Sequence, residues 1–131
     1  MNCKKMLKHL ALFLAGAMIL PAFAMADIKM GVILGFTGPI ESLTPDMGGS
    51  AEVAFKEASD SGLLLGGQKI VSVRADSTCI DNAAATAAAE RLVTAEKVAG
   101  IMGADCSGVT TAVANNVCLL YTSDAADDTC C

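Results

Sequence analysis

The sequence predicts an α/β fold in which helices cover a parallel sheet in three layers. Three short apolar runs, residues 28–34, 69–75 and 98–103, alternate with segments whose apolar residues recur at helical spacing. Each helical segment is long enough to join two parallel strands by a right-handed crossover. We therefore expect the order strand, helix, strand, helix, strand, helix, with the sheet as the middle layer.

The first strand and the first helix are separated by a loop of turn-forming residues. Residues 28–34 (IKMGVIL) are mostly apolar and partly β-branched, which is typical of a buried strand. Residues 47–61 predict a helix because small and apolar residues recur there at helical spacing: Ala51, Ala54, Phe55 and Ala58. Gly62 stands where a helix C-cap is expected. Between strand and helix, Glu41 and Asp46 are expected to be solvated loop charges.

The remaining elements follow the same alternation. A Gly66-Gly67 turn precedes the strand at residues 69–75 (KIVSVRA). Asp81 is the expected N-cap of a helix through AAATAAAERLVTAE, whose alanines allow it to lie close to the sheet. Residues 98–103 form the third strand, and the third helix is expected to run from Ser107 to about residue 117.

The first 26 residues have the pattern of a secretory signal peptide. Lys4, Lys5 and Lys8 precede an apolar run at residues 10–20, and Ala24-Met25-Ala26 matches a small-x-small cleavage site. The alternative is a membrane anchor, but a spanning helix needs about 20 apolar residues and this run stops at Pro21. The exported chain would begin at Asp27.

Charge and histidine content exclude several classes of function. The formal net charge is −5 and no basic patch is present, so nucleic acid is not an expected partner. The single histidine, His9, lies in the signal peptide. Without it, no Ser-His-Asp or Cys-His mechanism is available, and the commonest metal ligand is missing. We therefore expect no enzyme activity, no metal and no cofactor.

The last residues do not continue the α/β pattern. After residue 117 the sequence CLLYTSDAADDTCC has neither a strand nor a helix pattern. Residues 118–128 resemble the translation of a common sequencing adapter. The expected organisation is therefore a signal peptide at 1–26, a native domain at 27–117 and a non-native tail at 118–131. The alternative is a genuine disordered tail.

The cysteine count then reduces to one pair. Of the six cysteines, Cys3 falls in the signal peptide, and three fall in the tail: Cys118, Cys130 and Cys131. Cys79 and Cys106 remain, and an even pair in an exported protein predicts a disulfide. Both follow strands at one edge of the sheet, where neighbouring strands lie about 4.8 Å apart. The alternatives are a zinc site, which two thiols without histidine fit poorly, and a redox pair, whose Cys-x-x-Cys spacing is absent.

Four segments, in this order and spacing, resemble the type I periplasmic binding proteins. They are IKMGVILGFTGPIESLTPDM, the Gly66-Gly67 turn before KIVSVRADSTCID, AATAAAERLV, and IMGADCSGVTTAVANNV. The resemblance is to the branched-chain amino-acid family of ABC-transporter substrate-binding proteins, and it covers residues 27–117. It implies a Rossmann-like lobe, here the incomplete N-terminal part of lobe one, in a two-lobed monomer of the periplasm. That protein would bind an amino acid or a related amide and deliver it to an ABC permease in the inner membrane.

The resemblance also indicates candidate ligand contacts. The loop after the third strand implicates Cys106 and Ser107, and Ser107 at a helix start suits an α-carboxylate. The loop after the first strand implicates Leu43 or Thr44, where leucine-type relatives often carry an aromatic side chain. The other contacts would lie beyond residue 117. Ser107 has two alternative roles: an ordinary N-cap, or a nucleophile, which lacks both a histidine and a G-x-S-x-G motif.

Two other functions remain as alternatives. A nucleotide-using α/β enzyme would need a phosphate-binding loop. The glycines here, Gly31, Gly35 and Gly38, do not have the G-x-G-x-x-G spacing, and no Walker lysine follows them. The extracellular ligand-sensing domain of a receptor would have the same fold, and would need a transmembrane segment further along the chain.

Overall fold

A computed structural model of the chain describes residues 26–64 and 66–121. The predicted signal peptide, apart from Ala26, and residues 122–131 of the predicted tail lie outside these residues. Within them, three strands alternate with three helices: β1 (Ile28–Leu34), α1 (Thr44–Asp60), β2 (Ile70–Asp76), α2 (Asn82–Thr94), β3 (Gly100–Met102) and α3 (Ser107–Val113). This order confirms the predicted α/β fold. None of the described helices has the length and apolar content that a membrane crossing requires.

β1 is the central strand of a parallel sheet whose order is β2-β1-β3. It pairs with β2 along its whole length, and the pairing ends with Leu34 opposite Asp76. Its pairing with β3 is shorter and ends with Val32 opposite Met102. The carboxyl ends of all three strands therefore lie at the same edge of the sheet.

Helices cover both faces of this sheet. The chain leaves β1 for β2 on one side and then crosses back to β3 on the other, so right-handed crossovers place α1 and α2 on opposite faces. On the face covered by α2 and α3, the sheet and the helices share one apolar core: Ile33, Ala75, Ala85, Ala89, Leu92, Ile101, Val109 and Val113. Gly31 lets α2 approach closely, because a Cβ there would lie 2.9 Å from Leu92 Cδ1.

α1 begins at Thr44, earlier than the predicted start at residue 47. Pro45 occupies its first turn, where the missing N–H costs no helical hydrogen bond. Asp46 is consequently an exposed first-turn residue and not the loop charge that was predicted, whereas Glu41 is exposed in the loop as expected. Gly48 is buried inside the helix, and a Cβ there would lie 3.3 Å from an aromatic ring of the preceding loop.

The other element boundaries differ from prediction for local reasons. Asp81 is the N-cap of α2 as predicted, and its Oδ1 accepts the N–H groups of Ala83 and Ala84 at 2.9 and 3.0 Å. β3 is shorter than the predicted strand at 98–103. Gly103 follows it with a φ of 118°, which is outside the range of strands.

α3 continues past its α-helical residues. A π-helical turn, Ala114–Cys118, follows it, and then a last helical turn, Leu119–Tyr121. Val117 and Cys118 are buried in the core beneath α2 and α3. The helix thus crosses the predicted boundary between residues 117 and 118, and that boundary stays a prediction.

Candidate functional site

Three loops follow the strands at the carboxyl edge of the sheet. We use the name carboxyl edge for residues 35–43 after β1, 77–81 after β2 and 103–106 after β3. The connections that follow β1 and β3 leave towards opposite faces of the sheet. A crevice opens between neighbouring strands at such a point, and open α/β sheets bind ligands there. The loops after β1 and β3 are therefore the candidate site.

A disulfide joins the loops after β2 and β3, as predicted. The Sγ atoms of Cys79 and Cys106 are 2.01 Å apart, and their Cα atoms 5.2 Å apart. Thr78 and Cys79 both have positive φ angles, 56° and 69°. Residues other than glycine rarely adopt this region, and β-branched residues such as threonine adopt it least. Gly35 packs against this corner, because a Cβ at Gly35 would lie 3.1 Å from the Cβ of Cys79. The three loops therefore meet at the disulfide.

Asp76, the last residue of β2, ties the loop after β1 to the loop after β2. Its carboxylate accepts the Thr37 hydroxyl at 2.6 Å and the N–H groups of Thr37 and Thr78 at 3.3 and 2.8 Å. Burial opposes ionisation of this group. Hydrogen bonds from Thr37, Thr78 and the Phe36 N–H outweigh burial and lower the pKa of Asp76 below its ordinary value of 3.8. Asp76 is thus ionised at neutral pH, and its carboxylate joins the two loops by hydrogen bonds.

Asp105, in the loop after β3, is bonded to both of the other loops. Its Oδ2 accepts the Gly35 N–H at 2.9 Å, and its Oδ1 accepts the Ser77 hydroxyl at 3.5 Å. Ser77 is fully buried, and its own N–H donates to the Leu34 carbonyl at 2.9 Å. Sequence reasoning assigns no role to Asp105. The only signal was an acidic residue soon after a buried strand.

Among the described residues, no side chain caps the first turn of α3. Cys106 is the N-cap, with extended backbone and no side-chain bond to the helix, and its sulfur is held in the disulfide. The alternative of Ser107 as N-cap is wrong, because Ser107 is the first helical residue. The Thr110 N–H makes the first helical bond, to the Cys106 carbonyl at 2.9 Å. The N–H groups of residues 107–109 precede it and have no acceptor among the described residues.

The four predicted ligand contacts occupy two places beside the crevice. At the start of α3, Ser107 is exposed and Cys106 is half-buried. At the start of α1, the N-cap Leu43 is 61% exposed, whereas Thr44 is fully buried. The Thr44 hydroxyl donates to the Gly35 carbonyl at 3.0 Å, which gives this side chain a role inside the protein. That these four residues contact a ligand stays a prediction.

Acidic groups are spread along the carboxyl edge. Glu41 and Asp46 are exposed, and Asp76 and Asp105 are bonded to donors of the loops. In the part of the chain that the structure describes, no three His, Cys, Asp or Glu side chains come together to hold a metal ion. What the edge offers a ligand is a set of hydrogen-bond donors: the first N–H groups of α3 and the Ser107 hydroxyl.

Comparison with protein families and known proteins identifies relatives along most of the chain. A family model described as periplasmic binding protein matches residues 27–131. The Leu/Ile/Val-binding protein homolog 7 of Brucella melitensis is 42% identical over 102 residues, which are 77% of this chain and 25% of the relative. The homologous protein of Brucella suis has the same identity and coverage. The chain thus spans about a quarter of the length of the curated relatives that it matches.

Solved structures of similar fold match a comparable fraction of this chain. The substrate-binding protein LivJ of a branched-chain amino-acid transporter of Streptococcus pneumoniae, in complex with isoleucine, is 29% identical with a TM-score of 0.61. The comparison covers 70% of this chain and 26% of LivJ. The leucine-binding protein LivK of Thermotoga maritima is 28% identical with a TM-score of 0.53, over 67% of this chain and 24% of LivK. A solute-binding protein of Rhodopseudomonas palustris in complex with benzoate is 26% identical with a TM-score of 0.52, over 69% of this chain and 24% of that protein.

Proposed function

Because the chain belongs to the periplasmic binding protein family, we propose that it forms part of one lobe of a solute-binding protein in an ABC uptake system. The proposed solutes are branched-chain amino acids or related small amino acids and amides. The names of the Brucella relatives and the isoleucine bound to LivJ support this class. The proposal includes export to the periplasm and delivery of the solute to a permease of the inner membrane.

The observation that best supports the proposal is the start of α3 at the crevice, because its first N–H groups indicate which atoms would bind the solute. The N–H groups of Ser107 and Gly108 are exposed and have no acceptor among the described residues, and Ser107 adds a hydroxyl. The partial positive charge of a helix N-terminus favours a negative group there. A solute carboxylate therefore finds up to three exposed donors at this point: the N–H groups of Ser107 and Gly108 and the Ser107 hydroxyl. Cys106 contributes through its backbone, because its sulfur belongs to the disulfide.

Gly31 in β1 and Gly38 in the loop after it weigh against a nucleotide-binding enzyme. Gly31 accommodates Leu92 of α2 in the core. Gly38 has a φ of 96° and lies against the Thr78 carbonyl, so no side chain fits there. Both glycines make room for the protein's own atoms, and neither is left to approach a phosphate.

The proposal is tested in a chimera of full family length. Residues 27–117 replace the aligned segment of the Brucella melitensis relative, and thermal unfolding is measured with leucine, isoleucine, valine or ATP. We expect the branched-chain amino acids to raise the unfolding temperature and ATP to leave it unchanged. Stabilisation by ATP alone would contradict uptake of amino acids. The 131-residue chain by itself is expected to show no measurable leucine binding in calorimetry.

Two substitutions at one position separate the hydroxyl from the N–H. Ser107→Ala removes the hydroxyl and is expected to weaken leucine binding about tenfold, as for a hydrogen bond to a charged group. Ser107→Pro also removes one N–H, and proline is tolerated at the first helical position. Cys106 has φ −114° and ψ 128°, which suit a residue before proline. We expect Ser107→Pro to weaken leucine binding further without loss of stability.

Ser50→Ala is the matched control, because this exposed serine bonds only the Asp46 carbonyl of its own helix. It is expected to leave leucine binding unchanged. Equal leucine affinity of the Ser107→Pro and parent chimeras would show that the carboxylate does not bind at α3.

A further inference from the structure

The start of α3 is held from two sides by neighbouring residues of one loop. Cys106 links it covalently to Cys79 in the loop after β2. Asp105 links it by hydrogen bonds to Gly35 in the loop after β1 and to the buried Ser77. The disulfide reaches only the loop after β2, whereas Asp105 also reaches the loop after β1 through Gly35.

Asp105 could cap α3 but does not. In α2, Asp81 stands at the N-cap and takes up the N–H groups of the first turn. In α3 the acid stands one residue earlier, and Cys106 is the N-cap. Both carboxylate oxygens of Asp105 are bonded to the other loops, at Gly35 and Ser77. The N–H groups of α3 consequently remain available, although an acid lies beside them.

The bond to Gly35 is the stronger of the two hydrogen bonds that Asp105 accepts. Its length, 2.9 Å, is that of a well-formed N–H···O hydrogen bond, whereas the Ser77 contact at 3.5 Å is weak. Asp105 belongs to none of the ion pairs found within the described residues. The peptide N–H of Gly35, in the loop after β1, is therefore the principal hydrogen-bond donor to Asp105. This couples the position of α3 to the position of that loop.

We propose that Asp105 is a positioning residue of the solute site: it fixes the free N–H groups of α3 against the loop after β1 and keeps its own carboxylate away from them. The carboxylate role of α3 on which this rests is the proposed function above. Asp105 itself does not touch the solute. Its action on the solute passes through Gly35 and the first turn of α3.

The first test uses nuclear magnetic resonance of the full 131-residue chain without any ligand. Hydrogen exchange of the Gly35 N–H is compared in the wild type, Asp105→Ala and Asp105→Asn. We expect Ala to accelerate exchange at Gly35 about tenfold or more, because a bond to a charged acceptor is lost. Asn keeps one neutral acceptor oxygen and is expected to accelerate it about threefold. The amide resonances of Ser107 and Gly108 should move in the same order.

Asp46→Asn and Asp46→Ala are the matched controls. Asp46 is an exposed acid in the first turn of α1, and no hydrogen bond or ion pair of its carboxylate occurs among the described residues. Both controls should leave Gly35 and α3 unchanged. If Asp105→Ala does not fold, Asp105→Asn decides. The proposal would be overturned if hydrogen exchange at Gly35 in Asp105→Asn were as slow as in Asp46→Asn. It would also be overturned if the Ser107 and Gly108 resonances of the Asp105 variants did not move.

A second measurement separates positioning from the proposed function. In the chimera described above, Asp105→Ala is expected to weaken leucine binding about tenfold, and Asp105→Asn to restore much of it. If the parent chimera binds no leucine, the proposed function fails while the exchange data still decide the role of Asp105. If the parent binds leucine and Asp105→Ala binds it equally well, the positioning role fails and the proposed function stands.

Discussion

Replacement of Thr44 by valine isolates one buried hydrogen bond of the carboxyl edge. Thr44 is fully buried, and its hydroxyl donates to the Gly35 carbonyl at 3.0 Å. Valine has nearly the same shape, so the substitution leaves no cavity and removes the hydroxyl, together with its weak 3.5 Å contact with the Glu41 carbonyl. The Gly35 carbonyl is buried and loses this partner. The change therefore measures what this bond contributes to the stability of the site.

The magnitude follows from burial. A typical hydrogen bond stabilises by about 1 kcal/mol, and a buried acceptor left without a donor costs about 1–3 kcal/mol. We expect Thr44→Val to lower the free energy of unfolding by about 1–3 kcal/mol. For a domain of this size each kcal/mol lowers the unfolding temperature by roughly 4–8 °C. Urea unfolding followed by circular dichroism gives the free energy directly.

Thr94→Val is the matched control for this experiment. Thr94 is exposed, and its hydroxyl donates to the Glu90 carbonyl of its own helix at 2.6 Å. Its replacement should change the free energy of unfolding by about 0.5 kcal/mol or less. Equal effects of the two substitutions would refute the reasoning. If Thr44→Val kept full stability and weakened leucine binding in the chimera, Thr44 would be the ligand contact that the sequence predicted.

Three further predictions concern the same edge. Asp76 has a lowered pKa in the folded chain, so its contribution to stability is complete above pH 3.8 and is lost as pH falls through the folded pKa. The urea midpoint of the wild type should therefore fall in acid, and Asp76→Asn should make the midpoint depend less on pH. The pair Cys79→Ala with Cys106→Ala opens a loop of sequence separation 27 and should lower the free energy of unfolding by roughly 3.5 kcal/mol. A loss under about 1 kcal/mol would contradict the chain-entropy argument. Gly38→Ala places a Cβ at φ 96° against a carbonyl oxygen and should cost about 1–3 kcal/mol, whereas Gly49→Ala, in open helix surface, should stabilise by about 0.5–1 kcal/mol.

The type and order of the elements could be predicted because each carries a local signal. β1 is a mostly apolar run, and α2 is rich in alanine behind an N-cap acid, Asp81. The start of α1 could not be placed from periodicity, because its first turn is polar and Thr44 is buried by a tertiary contact. The end of β3 depends on the backbone of Gly103, which no side-chain pattern reveals.

The contacts of the carboxyl edge were less accessible to sequence reasoning. The Cys79–Cys106 disulfide is confirmed, because counting cysteines and placing both after strands leaves few alternatives. The Asp105 bond to Gly35 joins residues 70 positions apart, and no periodicity reports on it. Threonines, serines and acids follow strands in many loops without such contacts. Only the sheet order, which brings the ends of β1 and β3 together, makes this partner visible.

Gly35 is the point at which these contacts combine. Its N–H is held by Asp105 and its carbonyl by Thr44, and a Cβ at this position would be crowded by Cys79. A peptide held on both sides cannot rotate freely, so the loop after β1 and the start of α3 keep one relative position before any solute arrives. Donors that are already in place lower the ordering cost of binding. In the proposed function, the carboxyl edge would present the Ser107 end of α3 as a preformed half of a solute site, and its rigidity would come from neighbours that need not touch the solute.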